Sequence, residues 1–196
     1  MKKYDAIMIG FGKGSKTLAA EMAKRGKHVA MIEKSNQMYG GTCINEGCIP
    51  SKSLIIQADK NGYTKAVENK EILVTKLRKK NFDKLDQLEN VDVYTATAQF
   101  VSDHEVHIKN EELDEVLYGD MLFINTGSEP NIPNIKGIHD TKHVYTSAEL
   151  MKLTELPKRL AIIGGGYIGL EFSSMYARYG SKVTVFEHGE RLVKRE

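Results

Sequence analysis

Tyr4-Asp5-Ala6-Ile7-Met8-Ile9-Gly10-Phe11-Gly12-Lys13-Gly14-Ser15 opens the chain as an apolar strand running into a glycine-rich turn. A helical stretch follows from Lys16 to Arg25, Gly26 stands where a helix C-terminal cap is expected, and His28-Val29-Ala30-Met31-Ile32 forms a second strand that ends in Glu33. Strand, helix and strand together have the length that a dinucleotide fingerprint requires. Gly10 lets the chain turn tightly and Gly12 lets backbone approach a pyrophosphate. The helix N-terminus behind them offers unpaired N–H groups and the positive end of a dipole. Glu33 is placed to accept hydrogen bonds from an adenosine ribose. The third position of the fingerprint carries Ser15, with Gly14 one place early; a small residue there keeps helix and strand close.

The same pattern recurs far along the chain. Arg159-Leu160-Ala161-Ile162-Ile163 leads into Gly164-Gly165-Gly166-Tyr167-Ile168-Gly169, a helix reaches Gly180, and Lys182 to Phe186 ends in Glu187. The interval from Gly10 to Glu33 equals that from Gly164 to Glu187. A single glycine triplet is weak evidence, but two copies with strand, helix, cap and terminal acid in register strongly outweigh an ordinary loop. Glu187 favours a free 2′-hydroxyl and repels a 2′-phosphate, whereas nearby Arg191 and Lys194 pull the other way, so NADH and NADPH both stay open.

Between the copies lies Gly40-Gly41-Thr42-Cys43-Ile44-Asn45-Glu46-Gly47-Cys48-Ile49-Pro50-Ser51-Lys52, which holds both cysteines of the 196-residue chain. Four intervening residues make a poor zinc half-site, and the six histidines supply no companion motif, so no metal is expected. Thiol chemistry is the stronger reading: a thiolate is stabilised at a helix N-terminus or beside a cation. Gly40 and Gly41 permit a tight entry, Thr42 can cap, and Ser51 to Lys60 continues as a helix.

Composition fits an ordinary globular protein: 41% hydrophobic and 28% charged residues, with a net charge of +2 from 28 basic and 26 acidic side chains. The basic run Lys76-Leu77-Arg78-Lys79-Lys80 reads as a solvated helix face rather than a nucleic-acid patch. The apolar run after Met1-Lys2-Lys3 is too short for a signal sequence, and no stretch is apolar for long enough to span a bilayer. A soluble, cytoplasmic protein without nucleic-acid or membrane partners is the simplest expectation.

Gly-Gly-Thr-Cys-x4-Cys-Ile-Pro-Ser-Lys, flanked by two dinucleotide fingerprints and followed by Thr126-Gly127-Ser128-Glu129-Pro130, resembles the class I flavoprotein disulfide reductases: dihydrolipoamide dehydrogenase, glutathione reductase and mercuric reductase. The stretch Ser35 to Asn45 looks closer still to the bacterial branch of reactive-chlorine-resistance and hypothiocyanous acid reductases. The resemblance implies an α/β fold. A Rossmann-like FAD-binding domain with a small antiparallel β insertion takes in residues 1–155 and lacks its C-terminal segment. The first βαβ unit of a second, NAD(P)-binding Rossmann-like domain takes in 156–196. FAD would be held by Gly10, Gly12, Gly14, Ser15, Glu33, Lys34, Gly41, Thr42, Gly47, Lys52, Ala98, Thr126, Gly127 and Ser128, with both cysteines beside it. NADH or NADPH would be held by Gly164, Gly166, Tyr167, Ile168, Gly169 and Glu187. By the same resemblance, Cys48 contacts the flavin, Cys43 exchanges with substrate, and Lys52 and Glu171 form an ion pair near the flavin.

The activity implied is an oxidoreductase that passes electrons from NAD(P)H through FAD to a Cys43–Cys48 disulfide, and on to a small oxidant, disulfide or metal ion. Glutathione reductases usually carry Lys where Ser51 stands here. The family's homodimer and its acid-base histidine belong to later segments, so a chain ending at Glu196 is not expected to complete turnover alone. The alternative is a non-catalytic dinucleotide-binding module or thiol redox sensor. Residues 53–90 read as two helices that pack through Leu73, Leu77, Leu85 and Leu88. Strands are expected at 91–95, 99–102, 104–109, 115–118 and 121–125, in a small antiparallel layer.

Overall fold

A computed structural model describes residues 1–193, so Lys194 lies outside the described residues. The described residues form two compact units, the first from residues 1–45 and 74–129 and the second from 46–73 and 130–193.

In the first unit, β1 (Lys2–Ile9) lies between β2 (Val29–Glu33) and β6 (Asp114–Ile124) and is parallel to both. The six-stranded sheet has the order β3-β2-β1-β6-β5-β4, with β3 at Val91–Thr95, β4 at Thr97–Phe100 and β5 at Glu105–Lys109. Continuous apolar runs make β1 and β2 suitable for burial on both sides. Ala6, Met8, Val29 and Met31 pack with Ala19, Ala20 and Ala23 of α1 (Lys13–Lys24) and with Leu85 of α4 (Tyr63–Asp86). Ile7, Ile9, Ala30 and Ile32 face the other way and pack with Val106, Ile108 and Leu117 of the antiparallel strands. The pairing Ile9↔Ile32 and Ile9↔Ile124 gathers the carboxyl ends of three neighbouring strands, the position at which open α/β sheets bind ligands.

Several details differ from the sequence reading: the 91–95 segment, expected in the antiparallel layer, is β3 and pairs in parallel with β2 at the far edge of the sheet. The segments expected as strands at 115–118 and 121–125 are one strand, β6, which pairs antiparallel with β5 and then parallel with β1. Gly119 and Asp120, left out of both expected strands, lie inside β6, where Gly119 is needed for space: a Cβ there would lie 2.8 Å from Ile7 Cγ1. The antiparallel strands therefore continue the main sheet. Another difference concerns α4, where Leu85 is 1% exposed but Leu73 is 38% exposed. Burying Leu85 is worth roughly 1.5–3 kcal/mol, whereas an exposed pair such as Lys79–Asp83 is worth about 0.3–0.5 kcal/mol. Leucine packing therefore fixes this end of the helix.

The second unit contains α3 (Cys48–Gln57), the first part of α4, α5 (Ser147–Leu150), β7 (Arg159–Ile163), α6 (Tyr167–Tyr179) and β8 (Lys182–Phe186). α2 itself (Thr42–Asn45) belongs to the first unit. β7 and β8 pair in parallel from Arg159↔Lys182 to Ile163↔Phe186. Leu54, Tyr63, Val67, Leu150, Phe172 and Met175 form the core with Tyr176. Three tyrosines tie it together through backbone carbonyls. Tyr63 donates to Leu153 O at 3.1 Å, Tyr176 to Leu150 O at 3.0 Å and Tyr179 to Leu54 O at 2.6 Å. Buried Lys70 donates to Met151 O at 2.7 Å and pairs with Glu71, so its charge is compensated.

Burial raises the Tyr63, Tyr176 and Tyr179 phenols above their usual range, Tyr179 to about 12, and burial raises Tyr4 in the first unit as well. Folding favours the protonated phenol. Stability from these groups is therefore complete below the ordinary tyrosine value near 10 and is lost as pH rises through their raised values. An absorbance titration at 295 nm is expected to resolve a late class of Tyr4, Tyr63, Tyr176 and Tyr179, with Tyr179→Phe removing one member. A single transition near pH 10 for all nine tyrosines in the folded protein would contradict this packing.

Candidate functional site

The turn after β1 is set by Gly10, whose φ of +100° is open to glycine and costly for other residues. A Cβ there would also sit 2.2 Å from Asn125 O. The turn aims the next N–H at the end of β2, and Phe11 N donates to Glu33 Oε2 at 3.0 Å. Ser35 N donates to the other oxygen at 3.3 Å. Glu33 therefore holds the loop in shape, and its carboxylate has lone pairs left for further hydrogen bonds.

The second copy repeats this geometry. Gly164 has φ +108°, Gly165 N donates to Glu187 Oε2 at 2.7 Å, and Gly189 N donates to Oε1 at 2.8 Å. The Gly189 and Gly165 N–H groups hold the Glu187 carboxyl below the usual carboxylate range. The helix starts match too: Gly12 caps α1 at φ −74°, ψ 175°, and Gly166 caps α6 at φ −74°, ψ 177°. Neither start has a side-chain cap, which leaves first-turn N–H groups available to a phosphate. Gly169 serves helix–strand contact, because a Cβ there would be 2.1 Å from Gly164 O. Its counterpart Ser15 is buried at 4% exposure and is tolerated. Tyr167 and Ile168 are exposed in the first turn of α6.

Around the first loop, Gly41 has φ +77°, and a Cβ on it would lie 2.7 Å from Gly12 Cα. The segment bearing Cys43 therefore packs directly against the nucleotide loop. Gly127 lies close to Thr42, its Cβ position being 3.9 Å from Thr42 Oγ1. Thr126, Gly127, Ser128 and Lys34 are exposed, while Ala98 packs against the sheet core. Thr42 is the first residue of α2 rather than a cap before it. Asn125 was not foreseen. Its carboxamide fills the space beside Gly12, and Nδ2 is a buried side-chain nitrogen without a hydrogen-bond partner.

Two side chains of α4 support the Cys43 segment. Arg78 donates to Asn45 Oδ1 at 2.8 Å and to Gln37 Oε1 at 2.6 Å, while Asn45 Nδ2 donates to Gly41 O and Tyr39 O. Asn81 Oδ1 accepts from Lys16 Nζ at 2.5 Å. Arg78 is thus a structural member of a run that reads as a solvated face. No local signal links it to residues so distant in sequence.

The cysteine pair is divided between the two units. Cys43 is half-buried in α2, and Cys48 is exposed as the first residue of α3 after Gly47. The helix expected from Ser51 therefore starts three residues earlier, at Cys48. Within the second unit, α3 and its exit are fastened to α6 at three points: the Lys52–Glu171 ion pair, Tyr179 on Leu54 O, and Arg178 on Asp59. Among the described residues, no group of three or more His, Cys, Asp or Glu side chains is placed to hold a metal ion, and no helix is long and apolar enough to cross a membrane.

Each loop thus meets the needs of a dinucleotide: a glycine turn, uncapped helix N–H groups and a carboxylate already oriented. The family profile described as pyridine nucleotide-disulphide oxidoreductase matches residues 4–196. The chain is similar to the probable pyridine nucleotide-disulfide oxidoreductase RclA of Escherichia coli (strain K12), at 47% identity over 197 residues covering 100% of this chain and 45% of that protein. A mercuric reductase of Staphylococcus aureus is 30% identical over 209 residues, covering 97% of this chain and 37% of the relative. The solved structure of the Cu(II) complex of the HOCl-induced flavoprotein disulfide reductase RclA from Escherichia coli matches with a TM-score of 0.97 at 47% identity, covering 100% of this chain and 45% of that one. The chain spans about half the length of these relatives or less. A match over nearly every residue, on a fold that builds the same nucleotide loop twice, shows that the chain belongs to the pyridine nucleotide-disulphide oxidoreductase family.

Proposed function

We propose that this chain is the nucleotide- and thiol-bearing portion of an NAD(P)H-dependent flavoprotein disulfide reductase. The observation that carries the reading is the repeated clamp, Glu33 on Phe11 N and Glu187 on Gly165 N, in a chain similar throughout to such a reductase. FAD and a nicotinamide dinucleotide are the cofactors of the family. In this reading residues 1–155 form the FAD-binding portion and 156–196 begin the nicotinamide portion. Gly10, Gly12, Gly14, Ser15, Glu33, Lys34, Gly41, Thr42, Gly47, Lys52, Ala98, Thr126, Gly127 and Ser128 line the FAD site. Gly164, Gly166, Tyr167, Ile168, Gly169 and Glu187 hold NADH or NADPH.

FAD supplies the relay that accepts a hydride and delivers two electrons to a disulfide. The chain's own residues do the rest. The uncapped starts of α1 and α6 take the pyrophosphates, and the acids take the riboses. Cys48 is the flavin-facing thiol and Cys43 the exchanging one. The Cys43 thiolate attacks a substrate sulfur: one S–S bond forms, one breaks, and a thiolate leaves. Cys48 then attacks the Cys43 sulfur, releases the second product thiolate and restores the intramolecular disulfide. The substrate is a small oxidant or disulfide, and a cytoplasmic homodimer is the expected setting. A likeness that covers the whole chain and points to named reductases does not favour the non-catalytic alternative.

Anaerobic titration of the full-length holoprotein tests this directly. Uptake of about two electrons beyond those that reduce the flavin is expected, and that extra uptake should vanish in Cys43→Ser and in Cys48→Ser. Wild-type uptake limited to the flavin would defeat the proposal. The Lys52–Glu171 pair offers a second check. Lys52→Met should alter the flavin spectrum and slow its reduction by roughly tenfold, equivalent to about 1.4 kcal/mol for one charge-assisted contact. An unchanged spectrum and rate would remove Lys52 from the site.

A further inference from the structure

Lys16 lies one turn into α1, on the helix whose first residues carry the nucleotide loop. Three observations place its ammonium group beside the Cys43 segment. Gly41, two residues before Cys43, approaches Gly12 so closely that a Cβ on Gly41 would lie 2.7 Å from Gly12 Cα. Asn81 anchors Lys16 Nζ at 2.5 Å, and a Cβ on Gly40 would meet Asn81 Cγ at 3.3 Å, so the anchor touches the same segment. Asn81 is itself fixed, because its Nδ2 donates to Leu77 O at 2.7 Å. The cation is thus held in place rather than swinging in solvent.

We propose that Lys16, anchored by Asn81, is a positioning cation that stabilises the Cys43 thiolate and so lowers the pH at which that sulfur attacks substrate. The inference rests on the reading of Cys43 as the exchanging thiol. Electrostatics within the unit agree with the geometry. Burial lowers the Lys16 pKa and negative charge on Cys43 acts against that lowering, an attraction that is necessarily mutual. Lys13 and Lys84 also act on Lys16, and the Arg78 guanidinium is committed to Asn45 and Gln37. Arg78 is thus fixed on the same segment, and Lys16 is the cation held by Asn81 on which the Cys43 charge acts.

The test is the pH dependence of iodoacetamide alkylation of the reduced, FAD-loaded full-length protein, with mass spectrometry assigning the label to Cys43 or Cys48. Lys16→Met is expected to raise the Cys43 midpoint by about one pH unit, and so to lower its alkylation rate at pH 7 by up to about tenfold. Lys16→Arg should restore the wild-type midpoint, and Asn81→Leu, which frees the lysine, should give a smaller shift in the same direction. An unmoved midpoint in Lys16→Met, or a shift that Lys16→Arg fails to reverse, overturns the proposal. If Lys16→Met loses its flavin, Asn81→Leu decides: a raised midpoint supports the pairing and an unchanged one refutes it. Failure of the exchange-thiol reading has a separate signature, since alkylation of Cys43 would then remove the long-wavelength thiolate–flavin band, which is expected to survive it when Cys48 is the flavin-facing thiol.

Discussion

A carboxylate at the end of a strand accepts the N–H of the residue that follows a left-handed glycine, and this contact organises both nucleotide loops. In the first copy it joins Glu33 to Phe11, and in the second Glu187 to Gly165. Gly10 and Gly164 supply the φ that aims the amide at the acid, and Gly12 and Gly166 then start their helices in almost identical backbone conformations. With no side-chain cap at either helix start, the N-terminal amides remain for a phosphate. One short hydrogen bond thus links turn, helix direction and ligand polarity, and all three require the acid and the glycine at a fixed separation in sequence.

That requirement explains why the fold was legible before any coordinates. The equal spacing in two distant segments is what a loop closed onto its own strand demands, and the glycines at the turn have no substitute at positive φ. The cysteine motif was legible for a similar reason, because Gly41 must let its segment approach Gly12. Other features carried no local signal. Gly119 falls outside the expected strands until Ile7 is seen against it, so β6 read as two strands. Arg78, Asn81 and Asn125 act on segments far away in sequence, and single-sequence periodicity is silent about such partners. The run containing Arg78 is rich in solvated charge, which concealed the one guanidinium that props Asn45.

The second unit shows how the nucleotide helix and the thiol helix become one mechanical part. α6 begins at the nucleotide loop and α3 begins at Cys48, and Lys52–Glu171, Tyr179–Leu54 and Arg178–Asp59 bind one to the other. The ion pairs are substantially solvated and worth little singly. The buried tyrosine hydroxyls, each matched to a carbonyl, and the apolar cluster around Leu54 and Met175 carry more of the stability. The Lys52–Glu171 contact is therefore better suited to tuning a site than to holding the fold.

Two similar loops are proposed to serve different ligands. Binding to the full-length protein separates them: FAD release followed by flavin fluorescence on dilution, and nicotinamide dinucleotide binding followed by titration. Glu33→Ala should loosen FAD by about tenfold or more while leaving the nicotinamide dinucleotide in place, and Glu187→Ala should do the reverse, each removing at least one charge-assisted hydrogen bond. Unchanged binding of both ligands in both variants, or weakening of the same ligand by both, would contradict the assignment of one loop to each.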